Sequence, residues 1–279
     1  MIFPQKRAAP AVHDVTRYFS LLTVHTFASG SEGNALLISG GETHILVDAG
    51  ISCRRIKQSM ALLGLELEDI TGILITHEHS DHIAGLATLT RQCGAPVYAT
   101  AATGRQLCYR IAGLEPVLHQ VAPGDVFHLG DVEVTVFPTS HDSADSVDYR
   151  MDGCGGSVGV MTDTGYVTDE AAQTLAGAAL LVLESNHDVD WLKSGPYPYV
   201  LKQRILGDRG HLSNDDAARF ARQMAEGGTK QFVLAHLSRE NNTPQRALET
   251  VQQAVAAFGA AVNVAPRGEV SRAYIAEDC

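Results

Sequence analysis

Gly72-Ile73-Leu74-Ile75-Thr76-His77-Glu78-His79-Ser80-Asp81-His82 decides how this chain is read. The run Gly72 to Ile75 has the character of a short buried strand, and it opens directly into the histidine cluster. Three imidazoles and two carboxylates packed this tightly make poor core material, because each carries polar atoms that are costly to bury unpaired. They make good metal chemistry. In an extended segment His77, His79 and Asp81 leave from one side of the backbone. His82 follows where the chain turns into a helix marked by Ile83, Leu86 and Leu89. One short loop is thus placed to serve two metal ions. The alternative, a solvated polar loop, is disfavoured by the clustering of nitrogen and oxygen donors.

Outward from this loop, further donors stand at the ends of apolar runs. Asp48 ends Ile45-Leu46-Val47, and Asp163 ends Val158-Gly159-Val160-Met161-Thr162. His236 ends Phe232-Val233-Leu234-Ala235, and His141 follows the strand Val132 to Phe137 through Pro138-Thr139-Ser140. A lone strand-end Asp most often caps a turn. Four such ends beside one histidine cluster form a set.

The remaining pattern opens with short strands over 23–28, 35–39 and 43–48, broken by glycines as in hairpins. Helical spacing covers 54–63, the stretch after His82 to about Cys93, 101–111, 169–175, 199–206, 214–226 and 244–258. Strands are expected at 96–100, through most of 117–161, at 179–183 and at 232–235. The fold class is therefore α+β, two mixed β-sheets packed face to face with helices outside. No linker divides residues 23–279, which read as a single domain, and residues 1–22 read as a loosely ordered extension.

Composition narrows the setting. With 32 acidic and 21 basic residues the formal charge is −11, which is not the basic field of a protein that wraps nucleic acid. A local basic strip from Lys202, Arg204 and Arg209 remains open. The five cysteines are scattered without a C-x-x-C pair, so neither a disulfide framework nor a thiolate zinc site is expected. No apolar run is long enough to cross a bilayer, and the first residues lack a signal-peptide core. A cytoplasmic location and no membrane partner are the expectation; oligomeric state is left open.

Asp48, His77-x-His79-x-Asp81-His82, His141, Asp163 and His236 resemble, in order and spacing, the five motifs of the metallo-β-lactamase superfamily, from about Thr23 onward. That resemblance implies a four-layer αβ/βα sandwich and two divalent metal ions. His77, His79 and His141 would hold one ion and Asp81, His82 and His236 the other. Asp163 would bridge them, and Asp48 would orient a ligand from behind. Asp163 stands where the common β-lactamases carry Cys, and His79 where flavodiiron reductases carry Glu. The interval from Asp163 to His236 is too short for the extra domain of long RNA-processing members, and the basic arm of tRNA 3′-processing enzymes is missing.

Ser29-Gly30-Ser31-Glu32-Gly33-Asn34, Leu183-Glu184-Ser185-Asn186-His187-Asp188 and Gly210-His211-Leu212-Ser213-Asn214, with Tyr197-Pro198 and 201–205, resemble the YycJ/WalJ group, described as 5′-to-3′ DNA exonucleases. The implied activity is a dinuclear phosphodiesterase with DNA, single-stranded or duplex, as substrate. Its chemistry would be a metal-bridged hydroxide attacking phosphorus, with Asp81 orienting that water. Ligands limited to His and Asp accept zinc, manganese or iron(II). Glu184 ends a buried strand and needs a partner; the resemblance to phosphodiesterase members implies that a protonated His211 would satisfy it and that the pair would protonate the leaving oxygen. His211 also reads as a residue preceding a helix capped by Ser213, with Asp216 three positions on, and both readings can hold. Ser31 and Asn34 are candidates for substrate contact or for holding a tight turn. His187 is unassigned, and His13, His25, His44, His119 and His128 lie outside any motif. Two other functions stay open: hydrolysis of a small phosphodiester such as a cyclic nucleotide, and a non-catalytic metal-binding sensor.

Overall fold

The structure is a computed structural model that describes residues 21–153 and 155–277. The extension expected over 1–22 lies almost wholly outside the described residues.

Two seven-stranded sheets face one another. In chain order the first holds β1 (Leu22–Ala28), β2 (Ala35–Gly40), β3 (Thr43–Val47), β4 (Gly72–Leu74), β5 (Val97–Thr100) and β6 (Leu118–Val121). The second holds β7 (Val126–Leu129), β8 (Val132–Pro138), β9 (Val147–Gly153), β10 (Gly156–Met161), β11 (Leu180–Glu184), β12 (Gln231–Ala235) and β13 (Ala261–Val264). The last strand, β14 (Tyr274–Ala276), returns to the first sheet beside β1. The spatial orders are β14-β1-β2-β3-β4-β5-β6 and β13-β12-β11-β10-β9-β8-β7.

Each sheet changes character half-way. The pairs from β14 to β3 are antiparallel and those from β3 to β6 parallel. Likewise the pairs from β7 to β10 are antiparallel and those from β10 to β13 parallel. Parallel strands need crossover connections, and these are the helices. Helices α1 (Cys53–Leu62), α2 (Ser80–Ile83), α3 (Leu86–Cys93) and α4 (Ala101–Arg110) lie among the first set of crossovers. Among the second are α5 (Asp169–Leu175), α6 (Val189–Ser194), α7 (Tyr199–Leu206), α8 (Asn214–Glu226) and α9 (Pro244–Val255). The arrangement is the expected four-layer sandwich.

Strand alternation decides the layers. On β3, Ile45 and Val47 enter the core between the sheets, while Leu46 points to the helices. On β11, Leu180 and Val182 face inward and Leu181 and Leu183 outward. The outer layers bury Ile56, Met60, Leu86, Leu89 and Leu107 on one side. On the other they bury Leu175, Phe220, Met224, Val251 and Val255. The expected helix after His82 is two, separated at Ala84 and Gly85; only glycine fits at 85, where a Cβ would stand 2.0 Å from the Ile51 carbonyl oxygen. The helix expected over 244–258 ends at Val255 and finishes as a 3₁₀ turn.

Candidate metal centre

Ligands bind at the carboxyl ends of parallel strands, where the chain leaves the sheet. Here β3 runs into Asp48, β4 into His77, β10 into Asp163 and β12 into His236, while β11 ends on Glu184. The antiparallel β8 delivers His141 from the same edge. Asp48, Asp163 and His236 share a left-handed backbone, with φ of 61°, 51° and 54°. They are the non-glycine residues with positive φ among those described, and such conformations persist only where the surroundings impose them. The turn aims each side chain back across the strand ends.

The expected ligand sets assemble. Donor atoms of His77, His79 and His141 lie within 4.8 Å of one another, and so do those of Asp81, His82 and His236. Asp163 lies between them: Oδ2 is 3.2 Å from His82 Nε2, and Oδ1 is 3.6 Å from His141 Nε2 and 3.4 Å from His236 Nδ1. Asp48 Oδ2 holds His82 Nδ1 at 2.6 Å, leaving Nε2 for the centre. Thr76, which sequence reasoning passed over, donates its amide to Asp48 Oδ1 (3.0 Å) and has its hydroxyl 3.0 Å from His77 Nδ1. Its place next to the histidine run was the available signal.

Glu184 is completely buried and fully satisfied. Its Oε1 accepts from His211 Nδ1 (2.9 Å) and from His236 Nδ1 (2.8 Å). Its Oε2 accepts the amides of Thr164 and Leu212, both at 3.0 Å. One carboxylate therefore orients an expected ligand and the expected acid together, a sharing that sequence did not reveal. Ser213 also caps α8, its hydroxyl accepting from the Asp216 amide, so His211 stands just ahead of a capped helix as well as beside Glu184.

The glycine-rich turn divides its roles. Asn34 Nδ2 is 3.1 Å from His82 Nε2, its Oδ1 accepts the Gly30 amide, and its own amide donates to the Asp81 carbonyl. Ser29, not singled out in the sequence, accepts the His236 amide at 2.8 Å. Ser31 stands exposed. Arg204 pairs with Asp142, and Arg209 donates to the carbonyls of His141 and Ser143. Lys202 donates to the carbonyls of Lys193 and Gly195. His187 is buried, and that burial pushes it down to about 4; its Nδ1 faces Asn186, 3.3 Å away.

The electrostatics are those of a cation site. Burial works against charge on Asp163, yet His236 and His82 hold its carboxyl well below the usual range. Burial also opposes charge on Glu184, and His211 overrides it, holding the carboxyl at about 2. Burial would lower His236, but Asp163 and its other carboxylate neighbours push it up to about 10. His77, desolvated and next to His82, is pushed well below its ordinary value, toward the neutral form a ligand needs. Asp163 Oδ2 and His236 Nε2 are buried without a hydrogen-bond partner, an expensive condition that a divalent cation would relieve. His77 Nε2 and His79 Nδ1 face each other at 3.0 Å. The donor set fits divalent metal.

A family model described as a β-lactamase superfamily domain matches residues 43–237. The chain belongs to that superfamily. An exodeoxyribonuclease YycJ of Bacillus anthracis is 40% identical over 89% of this chain and 92% of its own length. An exodeoxyribonuclease WalJ of Streptococcus pneumoniae is 37% identical over 85% of this chain and 89% of its own length. These identities place the chain with the YycJ/WalJ group of the superfamily. Among solved structures, the metallo-β-lactamase fold protein YhfI from Bacillus subtilis shares the fold, with a TM-score of 0.69 at 19% identity over 90% of this chain and 99% of its own. This superfamily member is a metal-dependent hydrolase, and no helix among its described residues is long and apolar enough to cross a membrane.

Proposed function

We propose that the chain is a dinuclear phosphodiesterase that degrades DNA from the 5′ end. The observation that carries this reading is the Glu184 carboxylate, which binds His236 and His211 through one oxygen. Two divalent ions, zinc or manganese with iron(II) also compatible, would supply Lewis acidity and lower the pKa of a water. His77, His79 and His141 would hold one, Asp81, His82 and His236 the other, and Asp163 both.

The chain's own groups do the rest. Asp81, half-buried at the centre, orients the attacking water or accepts its proton. Glu184 fixes His211 through Nδ1, which leaves Nε2 to protonate the leaving oxygen. The His211 side chain is 21% exposed, enough to meet a substrate from solvent. Asn34 holds the Asp81 backbone in place through its own amide, and Ser31 offers a hydroxyl at the rim of the turn. Residues 23–279 act as one unit in this reading.

Two exodeoxyribonuclease relatives support DNA as the substrate. So does Arg209, whose guanidinium lies on the carbonyls of His141 and Ser143 beside the candidate ligands and keeps its charge. Three free thiols among the described residues, Cys53, Cys93 and Cys108, suit a reducing cytoplasm.

The test is incubation of metal-loaded protein with 5′-labelled single-stranded and duplex DNA in Mn²⁺ or Zn²⁺. Metal-dependent release of labelled mononucleotide is expected. Intact DNA at confirmed metal occupancy rejects the reading, and cleavage of cyclic nucleotides alone would put the small-substrate reading in its place.

A further inference from the structure

Helix α7 has a composition at odds with its surroundings. Tyr199-Val200-Leu201-Lys202-Gln203-Arg204-Ile205-Leu206 is apolar at five of eight positions, yet none of its residues is buried. Tyr199 is 74% exposed and Val200 79%. A helix this apolar ordinarily lays a stripe against a core.

The helix is not a loose excursion. Lys202 Nζ donates to the carbonyls of Lys193 and Gly195, both at 2.7 Å, and Arg204 pairs with Asp142. Beyond its end, the His211 amide donates to the Ile205 carbonyl, and Ser140 Oγ donates to the Asp208 carbonyl at 2.7 Å. Arg209 and the Gly210 carbonyl both bind His141. An exposed apolar surface is thus fixed to the loop that carries a candidate ligand.

Its position and charge name the occupant. Val200 precedes Arg204 by four residues and so lies one helical turn from it on the same side. The Arg204 guanidinium binds Asp142, whose Oδ1 is 3.5 Å from His141 Nε2. The shelf is therefore tied, through Arg204 and Asp142, to the loop that carries His141. Lys202 and Arg209 are bound by neutral carbonyls, which leave their positive charge uncancelled, whereas Asp142 neutralises Arg204. Uncancelled positive charge beside an apolar, aromatic face complements a polyanion with flat bases. A second copy docked on the same face would set Lys202 and Arg209 against their own counterparts, like charge on like.

We propose that α7 is a nucleotide-binding shelf: an unpaired base of the DNA strand stacks on Tyr199, while Lys202 and Arg209 flank its phosphates. The inference rests on the DNA phosphodiesterase reading and adds to it how the strand is gripped. With only two such cations at hand, stacking supplies much of the hold, as it does in other single-strand binders.

The test compares wild type, Tyr199→Ala and Tyr199→Phe. Binding of a fluorescent single-stranded oligonucleotide is measured by anisotropy in EDTA, so that no cleavage intervenes. A strand carrying abasic sites serves as control, and turnover of bis(p-nitrophenyl) phosphate is measured with metal. Tyr199→Ala is expected to weaken binding roughly 5- to 150-fold. Phe should restore it, and the abasic strand should not distinguish the variants. Turnover of the small ester should stay at the wild-type level. Wild-type DNA affinity in Tyr199→Ala overturns the shelf, and so does an equal loss for the abasic strand. A change in sedimentation mass with DNA binding intact also overturns it, in favour of a second copy on this face. If wild type cleaves neither DNA nor the small ester, it is the phosphodiesterase reading that fails, whatever the Tyr199 variants bind.

Discussion

Glu184 and His211 are neighbours in function but differ in what their loss should cost. His211 contacts Glu184 and lies 3.5 Å from Asp163 Oδ1, outside the two expected triads. His211→Ala should therefore lower kcat by about 10²–10⁴-fold, the range for a lost general acid, with metal content unchanged. Glu184→Ala also leaves His236 Nδ1 without its acceptor, and removing such a partner weakens metal affinity by roughly 10–100-fold. Elemental analysis beside steady-state kinetics separates the two, and a His211→Ala enzyme with wild-type kcat removes His211 from the mechanism. Asp148 supplies a second residue-level expectation. It is fully buried, accepts the amides of Thr162 and Tyr149, and is held well above its ordinary value by burial. A carboxyl raised in the folded state favours the fold in its protonated form, so its contribution is lost as pH rises from 3.8 through the folded value. Asp148→Asn has no proton to lose. In metal-stripped protein its stability relative to wild type should rise from pH 5 to pH 8 by urea denaturation, and a flat difference would refute this.

At the scale of elements, the centre depends on loops that cross at glycines. A Cβ on Gly50 would fall 1.6 Å from the Asp81 carbonyl oxygen, which also accepts the Asn34 amide at 2.7 Å. Gly50→Ala must push the histidine loop away from β3. We expect a loss of about 1–3 kcal/mol, as for other overpacked sites, together with weaker metal binding. Unchanged melting temperature and metal titration would show that the loop accommodates the methyl elsewhere. The strands that run into Asp48, Asp163 and His236 were legible because apolar runs stop at polar donors. Their left-handed backbones were not, since φ follows from the crossing of loops that sequence does not juxtapose. Helix α6 went unread because six residues offer too little periodicity; Asp188 caps it by accepting the Trp191 amide. Strands β13 and β14 are short and lie at or beside sheet edges, where alternation is weak. In the glycine turn Asn34 accepts the Gly30 amide and reaches the histidine loop, Ser31 stands exposed, and Ser29, which the sequence did not single out, accepts the His236 amide.

For the whole molecule, the notable fact is that neither sheet holds the centre alone. His77, His79, Asp81 and His82 come from the first sheet's loops, while His141, Asp163 and His236 come from the second's. Each proposed ion would then draw ligands from both sheets and join the two halves of the sandwich, much as a cross-link does. Binding that favours the folded state stabilises it by mass action, about 2.7 kcal/mol for one site at a hundredfold excess over Kd. For a domain of this size each kcal/mol moves the melting temperature by about 2–4 °C. Stripping the metal with EDTA should thus lower Tm by roughly 5–10 °C per site, and Zn²⁺ or Mn²⁺ should restore it. His77→Ala and His236→Ala, one from each sheet, should each abolish part of that gain. If calorimetry finds the same Tm with and without metal, these residues do not join the sheets through an ion, and the two-metal centre fails with them.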